Sequence, residues 1–445
     1  MADHPTARDL IAAVAEDFTE HTVPAAPQPP DGPLAWTGYD AQRARATERT
    51  GETESVVCGT ARIGGVRTTL IAFEFGFLGG SLGERTGNRL EAAFTHARER
   101  HTPVVSLIAT GGSRMQEGMR ALIQLRRIAE QSARTRAAGL PQLAVAFDPT
   151  TGGGWATLGA GADITLAVPG AQIGFAGSRV RPRDTDPTAY TAEDQHAHGH
   201  VDEIVPEADL PETLGHWLSL LTNPSREPAQ PPHALPAGRP PEPRPRPTTG
   251  WDAVARARAE DRPRAHAYLD TYFTHRTTIT SGTTDGVTCG FGHHPTQGTI
   301  AYAAQLGTPT RPEGYRTIAR LLRLAARLQI PALTLVDTPG AANDAEAERQ
   351  GAGPAIADVF AAVAESPVPI TTLVIGEGGS GGALALTAPG RTWLASDSYF
   401  SVIAPELATA ILKRPPSATE ATANDLHLRP QDIVELGLAE GVIGD

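Results

Sequence analysis

Apolar residues recur along this chain in two spacings, and the change from one to the other predicts its elements. Four short, nearly unbroken apolar runs stand out: Pro103–Thr110 (PVVSLIAT), Pro141–Phe147 (PQLAVAF), Gln329–Asp337 (QIPALTLVD) and Pro369–Ile375 (PITTLVI). Runs of this length and composition suit strands buried on both faces, as at the centre of a parallel sheet. Met115–Glu130 has helical spacing, and so does Glu313–Leu328, with Ile318, Leu321, Leu322 and Ala325 on its apolar side. Strands are expected in Glu54–Phe77, about a Gly-Gly turn, and in Val287–Leu306. The remaining pattern predicts an amphipathic helix in Thr6–Phe18, a charged helix in Tyr39–Thr50 and two short strands about a Pro-Gly turn in Ala162–Gly177. It also predicts one or two helices in Trp251–Phe273 and a last helix and strand in Leu426–Ile443.

Each apolar run leads into a glycine turn, and the turns repeat. Ala109-Thr110-Gly111-Gly112-Ser113 aligns with Asp337-Thr338-Pro339-Gly340-Ala341, and Pro141–Ala156 (PQLAVAFDPTTGGGWA) aligns with Pro369–Leu384 (PITTLVIGEGGSGGAL). Self-similarity of this kind marks a duplicated unit, so the chain reads as two copies of one α/β fold, each with two glycine turns. The boundaries fall at an N-terminal arm over residues 1–35, a first domain over 36–222, a Pro-rich linker over 223–250 and a second domain over 251–445. The linker, NPSREPAQPPHALPAGRPPEPRPRPTTG, predicts an extended, semi-rigid tether with no core.

Composition narrows the function. At 445 residues both domains can hold full cores. A net charge of −12 provides no basic surface for nucleic acid or an anionic membrane. The beginning of the chain is not basic and no apolar run approaches ~18 residues, so neither a secretory signal nor a membrane span is expected. Cys58 and Cys289 are the only cysteines, too few for a four-cysteine zinc ribbon, and a reducing, cytoplasmic compartment suits them. Lys413 is the only lysine, which excludes a GxxxxGK phosphate loop. It also lacks the flanks of a biotinylation site, so any biotin must arrive on another protein. His196, His198 and His200 have no carboxylate at a familiar ligand spacing, and no metal site is assigned.

A glycine turn leaves backbone N–H groups bare, and two turns that converge can hold an oxygen as it becomes negative. In the first copy the donors come from Gly112, Ser113, Gly152 and Gly153; in the second, from Gly340, Ala341, Gly381, Gly382 and Ala383. Two such holes in one chain fit a reaction with two enolates. Glu117, Asp148 and Glu377 lie near the turns, where capping or holding the loops suits them better than acid–base work. Gly79, Gly80 and Gly83 (GGSLG) open a helix, which fits close packing or a phosphate contact. Arg179, Arg181 and Arg183 fit either a solvated loop or adenosine-phosphate contacts.

At these residues the chain resembles a known family. GGSLG, ATGGSRMQEG, DPTTGG and PGAQIGFAGSRV resemble the carboxyltransferase β subunit of bacterial acetyl-CoA carboxylase, and RPEGYRTIARLLRLA, LVDTPGAA, VIGEGGSGGALAL and SYFSVIAPE resemble its α subunit. The resemblance runs from about Tyr39 to Asp445 in β-then-α order. It implies two tandem crotonase-like (ββα spiral) domains that move carboxyl from carboxybiotin to the α-carbon of acetyl-CoA or another acyl-CoA. It implies acyl-CoA largely on the first half and biotin on the second, with Gly79, Gly80, Arg114, Arg179, Gly378 and Gly379 as the cofactor-contact candidates. The implied partners are a biotin carboxyl carrier protein and a biotin carboxylase, and the implied assembly is a homodimer or larger ring. Malonyl-thioester decarboxylation or biotin-independent carboxyl transfer is an alternative, and an inactive scaffold in a carboxylase complex is another. Three departures bear on the substrate: the zinc ribbon is missing, Gly154-Trp155 replaces small and β-branched residues after the glycine pair, and NDAEAERQ replaces a more glycine-rich stretch.

Overall fold

The four apolar runs become the central parallel strands of two units, Met1–Thr222 and Asn223–Asp445, each described by itself. The computed structural model describes residues 4–24, 27–233, 246–279 and 285–443. Part of the Pro-rich linker, residues 234–245, and Ala25–Ala26 of the arm lie outside them.

The first unit holds one eight-stranded sheet. Its strands are β1 (Asp17–Glu20), β2 (Val56–Ile63), β3 (Val66–Phe73), β4 (Val104–Thr110), β5 (Gln142–Thr151), β6 (Ile164–Ala167), β7 (Ile173–Gly174) and β8 (Glu203–Ile204). The order is β1-β2-β3-β4-β5-β6-β8, with β7 pairing the end of β5. β1, β2 and β3 are antiparallel, and every pairing from β3 onward is parallel. All of β4 is buried, which is why its sequence is apolar on both faces.

The second unit repeats this plan. Its strands are β9 (His275–Thr278), β10 (Val287–His294), β11 (Gly298–Gln305), β12 (Ala332–Thr338), β13 (Ile370–Gly379), β14 (Thr392–Ala395), β15 (Tyr399–Ser401) and β16 (Gly441–Ile443). The order is β16-β14-β13-β12-β11-β10-β9, with β15 pairing the end of β13. Registers match as well. Val104 lies opposite Gln142 and Thr110 opposite Thr150, while Ala332 lies opposite Ile370 and Thr338 opposite Gly378. In both units the ladder slips just before the threonine. The helix Pro312–Arg327 starts on a proline, whose missing N–H is spare at that position, and buries Ile318, Leu321, Leu322 and Ala325 as its spacing predicts.

Three segments differ from the sequence reading. Much of the N-terminal arm belongs to the first unit. A helix over Ala7–Val14, capped reciprocally by Thr6 and Asp9, buries Ala7, Leu10, Ile11 and Val14, and β1 then extends the sheet. Next, the described part of the linker is not a bare tether. Ser225 N donates to Thr299 O at 2.9 Å, Thr299 N donates to Asn223 O at 3.0 Å, and Ala229 is fully buried in the second unit's core. Prolines supply an extended backbone, and the residues between them still carry N–H groups and side chains that dock. Finally, the helix expected over Met115–Glu130 starts later. A 3₁₀ turn at Met115–Glu117 and a left-handed Gly118 precede a helix over Met119–Ala137.

The packing of the first helix makes a direct prediction. Leu10→Ala should lower the unfolding free energy by about 2–4 kcal/mol, read as a fall in the urea midpoint with little change in slope. An unchanged midpoint would mean that this helix is not part of the cooperative unit.

Candidate active site

In each unit the turn after the fourth strand of the unit meets the glycine segment after the fifth. A β-carbon on Gly152 would lie 3.1 Å from the Gly112 α-carbon, and one on Gly112 would lie 3.7 Å from the Gly152 α-carbon. In the second unit a β-carbon on Gly379 would fall 2.7 Å from Gly340 N, and one on Gly382 would fall 2.7 Å from Ala341 N. Side chains are excluded where the backbones touch. Gly112 (φ +103°) and Gly340 (φ +144°) also need left-handed backbone, which glycine adopts without strain. Ser380 takes φ +58° at the place where the first unit has Gly152 at +64°. A serine in that conformation is backbone strain of the kind found at functional sites.

The donors differ in detail from the sequence reading. Gly112 N donates to Thr110 Oγ1 at 3.1 Å and Gly340 N to Thr338 Oγ1 at 3.2 Å, so these two amides hold their own turns. The next residues are bridged. Leu82 pairs with Ser113, using Leu82 N to Gly112 O and Arg114 N to Leu82 O, each 2.9 Å. Thr310 pairs with Ala341 in the same way. This pattern uses the carbonyl before and the amide after, and it turns the N–H groups of Ser113 and Ala341 away from the bridge. The helix N-terminus comes from the other segment. Gly152–Gly154 form the first helical turn in one unit and Ser380–Leu384 a short helix in the other, where the leading N–H groups have no partner within the helix. By register Gly381 is the counterpart of Gly153, and Gly382 and Ala383 are those of Gly154 and Trp155. Gly381 is exposed, with open space over its α-carbon.

Several assigned contacts move to other roles. Arg114 is buried and cannot reach a cofactor. Its guanidinium bonds Glu54 Oε2 at 3.1 Å, Ser81 O at 2.7 Å and Tyr39 Oη at 3.3 Å. Glu117 accepts from Tyr39 Oη at 2.5 Å and from Glu84 N, the first residue of a helix, at 2.6 Å. It therefore holds the loop, as its placement predicted, and a β-carbon on Gly83 would strike it at 2.6 Å. Gly80 packs on Ala109, with a would-be β-carbon 2.0 Å from that carbonyl oxygen. Gly79, half-buried, uses its carbonyl to accept from Gly111 N at 2.9 Å. Gly378 and Gly379 are buried packing glycines, against the Phe400 ring and the Pro339 carbonyl. Arg179 and Arg183 are exposed, while Arg181 stacks 3.6 Å over the Tyr190 ring. Trp155 is buried, and its ring occupies the space a β-carbon on Gly159 would need.

Buried ions brace both sites. Burial pushes the Glu54 carboxyl up, but the charge and hydrogen bonds of Arg114 outweigh it and hold the group below its ordinary value. In the second unit Arg262 binds both oxygens of the buried Asp337 at 2.7 and 2.8 Å, and Asp337 Oδ1 accepts from Glu377 N at 3.1 Å. Glu377 itself accepts from Arg258 Nε and Tyr399 Oη, both at 2.8 Å. Both glutamates beside the turns are thus committed to structure. Among the described residues no cluster of His, Cys, Asp and Glu could hold a metal ion, and no helix is long and apolar enough to cross a membrane.

Two units of this plan, each with paired glycine turns, have the fold that the resemblance to carboxyltransferases implies. Residues 246–445 match the family described as acetyl co-enzyme A carboxylase carboxyltransferase-like. An acetyl-coenzyme A carboxylase carboxyl transferase, subunits beta/alpha, of Saccharopolyspora erythraea is 35% identical over 429 residues, 92% of this chain and 74% of that protein. A probable biotin-dependent acyl-coenzyme A carboxylase beta3 subunit of Mycobacterium bovis is 33% identical over 418 residues, 91% of this chain and 83% of that protein. The chain belongs to this family, the carboxyltransferase subunits of acetyl-CoA and acyl-CoA carboxylases. The fold agrees with the transcarboxylase 12S hexamer solved with methylmalonyl-coenzyme A, at TM-score 0.81 and 18% identity, covering 99% of this chain and 87% of that one.

Glu54→Gln leaves Arg114 short of a buried partner and should cost about 3 kcal/mol at pH 7. The native pKa of Glu54 lies below its unfolded value of about 4.3, so the stability it supplies is present above that pH and lost as pH falls through the native value. The variant should therefore lose less stability than wild type between about pH 5 and 3 in urea titrations. Parallel pH curves would remove Glu54 from this role.

Proposed function

We propose that this chain transfers carboxyl from carboxybiotin, carried on a separate protein, to the α-carbon of acetyl-CoA or another acyl-CoA. The observation that carries the reading is the pair of glycine turns in each unit, with helix-leading amides bare of side chains. Ser113 with Gly152 and Gly153 serves the acyl-CoA thioester in the first unit; Ala341 with Gly381 and Gly382 serves biotin in the second, where Ala383, the fourth residue of the helix, spends its amide within it. Carboxybiotin, when presented, supplies both CO2 and the base that takes the acyl α-proton. The chain's own task is to stabilise negative oxygen, to which neutral, preorganised N–H groups are suited. The ion pairing of Glu377 and the loop-holding bonds of Glu117 agree with this division of labour, since neither is placed to act as a base.

The family membership favours a biotin carboxyl carrier protein and a biotin carboxylase as partners, a cytoplasmic setting, and a homodimer or larger ring as the working assembly. The neighbouring transcarboxylase is described as a hexamer. Trp155 stands where the second unit has Ala383, which favours a pocket shaped differently from its counterpart and makes the acyl chain the open variable.

The decisive assay follows 14C from malonyl-CoA and from methylmalonyl-CoA into free biotin. Transfer supports the reading and ranks the substrates; release as CO2 without a need for biotin replaces it with a decarboxylase. Gly381→Val should keep the fold, since its side chain enters open space, and should lower transfer by about 100-fold or more by covering the amides. Gly382→Val should instead destabilise the unit, because its β-carbon would meet Ala341 N and Tyr315 Oη. Wild-type transfer by Gly381→Val would take the second unit's turn out of the mechanism.

A further inference from the structure

The Gly382 carbonyl oxygen accepts from two buried side chains, Tyr315 Oη at 3.1 Å and Gln305 Nε2 at 3.2 Å. Gln305 Nε2 also bonds Thr310 Oγ1 at 3.1 Å, and Thr310 is the residue bridged to Ala341. A β-carbon on Gly382 would lie 2.4 Å from Tyr315 Oη and 2.7 Å from Ala341 N. The glycine is therefore wedged between the phenol and the neighbouring turn. Burial pushes the Tyr315 pKa up, so the phenol stays protonated and able to donate.

The Ala383 N–H of the peptide that carries this carbonyl makes the first bond within the helix, to the Gly379 carbonyl, so donors on the Gly382 oxygen act on the position of the turn and not on a free amide. Gln305 ties the Gly382 carbonyl to Thr310, and through that bridge to the Ala341 turn, so these bonds set the spacing of the two turns. Among the described residues the first unit has no such arrangement. By register Gly87 stands where Tyr315 is, with the Gln124 side chain filling the space, and β3 ends on Phe73 where β11 ends on Gln305.

We propose that Tyr315 and Gln305 are positioning residues for the second unit's oxyanion site, locking the Gly382 peptide against the Ala341 turn and so fixing the Gly381 and Ala341 amides relative to each other. The inference rests on the reading of that turn as the biotin-side site. Neither side chain touches substrate; both act through the backbone.

The test measures 14C transfer from malonyl-CoA to free biotin by wild type, Tyr315→Phe, Gln305→Leu and the double variant, with thermal melts of each. Each single change should lower kcat about tenfold with KM for malonyl-CoA unchanged, since one hydrogen bond of about 1.4 kcal/mol is removed from a shared acceptor. The double variant should lose less than the product of the two, because both donors serve one oxygen. Wild-type kcat in both single variants would overturn the proposal while leaving the function intact. A rise in KM for malonyl-CoA matching the fall in kcat, or a collapse of the melt in both, would also overturn it by assigning a merely structural role. Wild-type protein that transfers no label would sink the functional reading, and this inference with it.

Discussion

In the first unit Gly152 stands so close to Gly112 that even a methyl group between them would be crowded, and Gly382 and Ala341 repeat the situation in the second. The strands that deliver these residues are parallel neighbours, so their ends arrive side by side, and the slip in each ladder aims the turns at one another. The rest of each unit serves that approach. Packing glycines at Gly80, Gly83, Gly378 and Gly379 let the flanking segments close in, and buried ion pairs fix what glycine alone leaves loose. Glycine loses more conformational entropy on folding than other residues do, and the turns hold because surrounding side chains constrain them.

The two units meet this constraint with different chemistry. The first anchors its turn through Arg114, which follows the candidate donor Ser113 directly and sinks into a cluster with Glu54, Tyr39 and Glu117. The second has Ala342 at the equivalent position and fixes its turns from behind, with Asp337 clamped by Arg262 and with neutral donors on the Gly382 carbonyl. One scaffold thus holds two similar pairs of turns with different bracing side chains.

Much of this was legible in the sequence. Continuous apolar runs identified the central strands because burial on both faces removes alternation, and the doubled turn motif disclosed the repeat. The glycines were harder to sort. Gly80 and Gly381 are the same letter, yet one packs on a carbonyl and the other leaves an amide open, and only tertiary contact separates these uses. Arg114 looked like an anion ligand because its partner Glu54 lies far back along the chain. The first helix was legible, but its docking and that of the described part of the linker were not, for a related reason: a short amphipathic or proline-rich stretch does not announce the surface that will cover it.

The matching registers carry one more consequence. From Leu82 to Thr151 and from Thr310 to Gly379 the two halves keep the same number of residues between bridge, turn and glycine helix, although their hairpin loops, Ile63–Val66 and His294–Gly298, differ in length. Side chains have diverged freely inside those intervals, with arginine against alanine and glycine against tyrosine. What the duplication has held fixed is contour length, a property no single residue possesses. An inserted residue there would rotate the turn away from its partner, so the segment behaves as a ruler whose accuracy is set by counting peptide bonds.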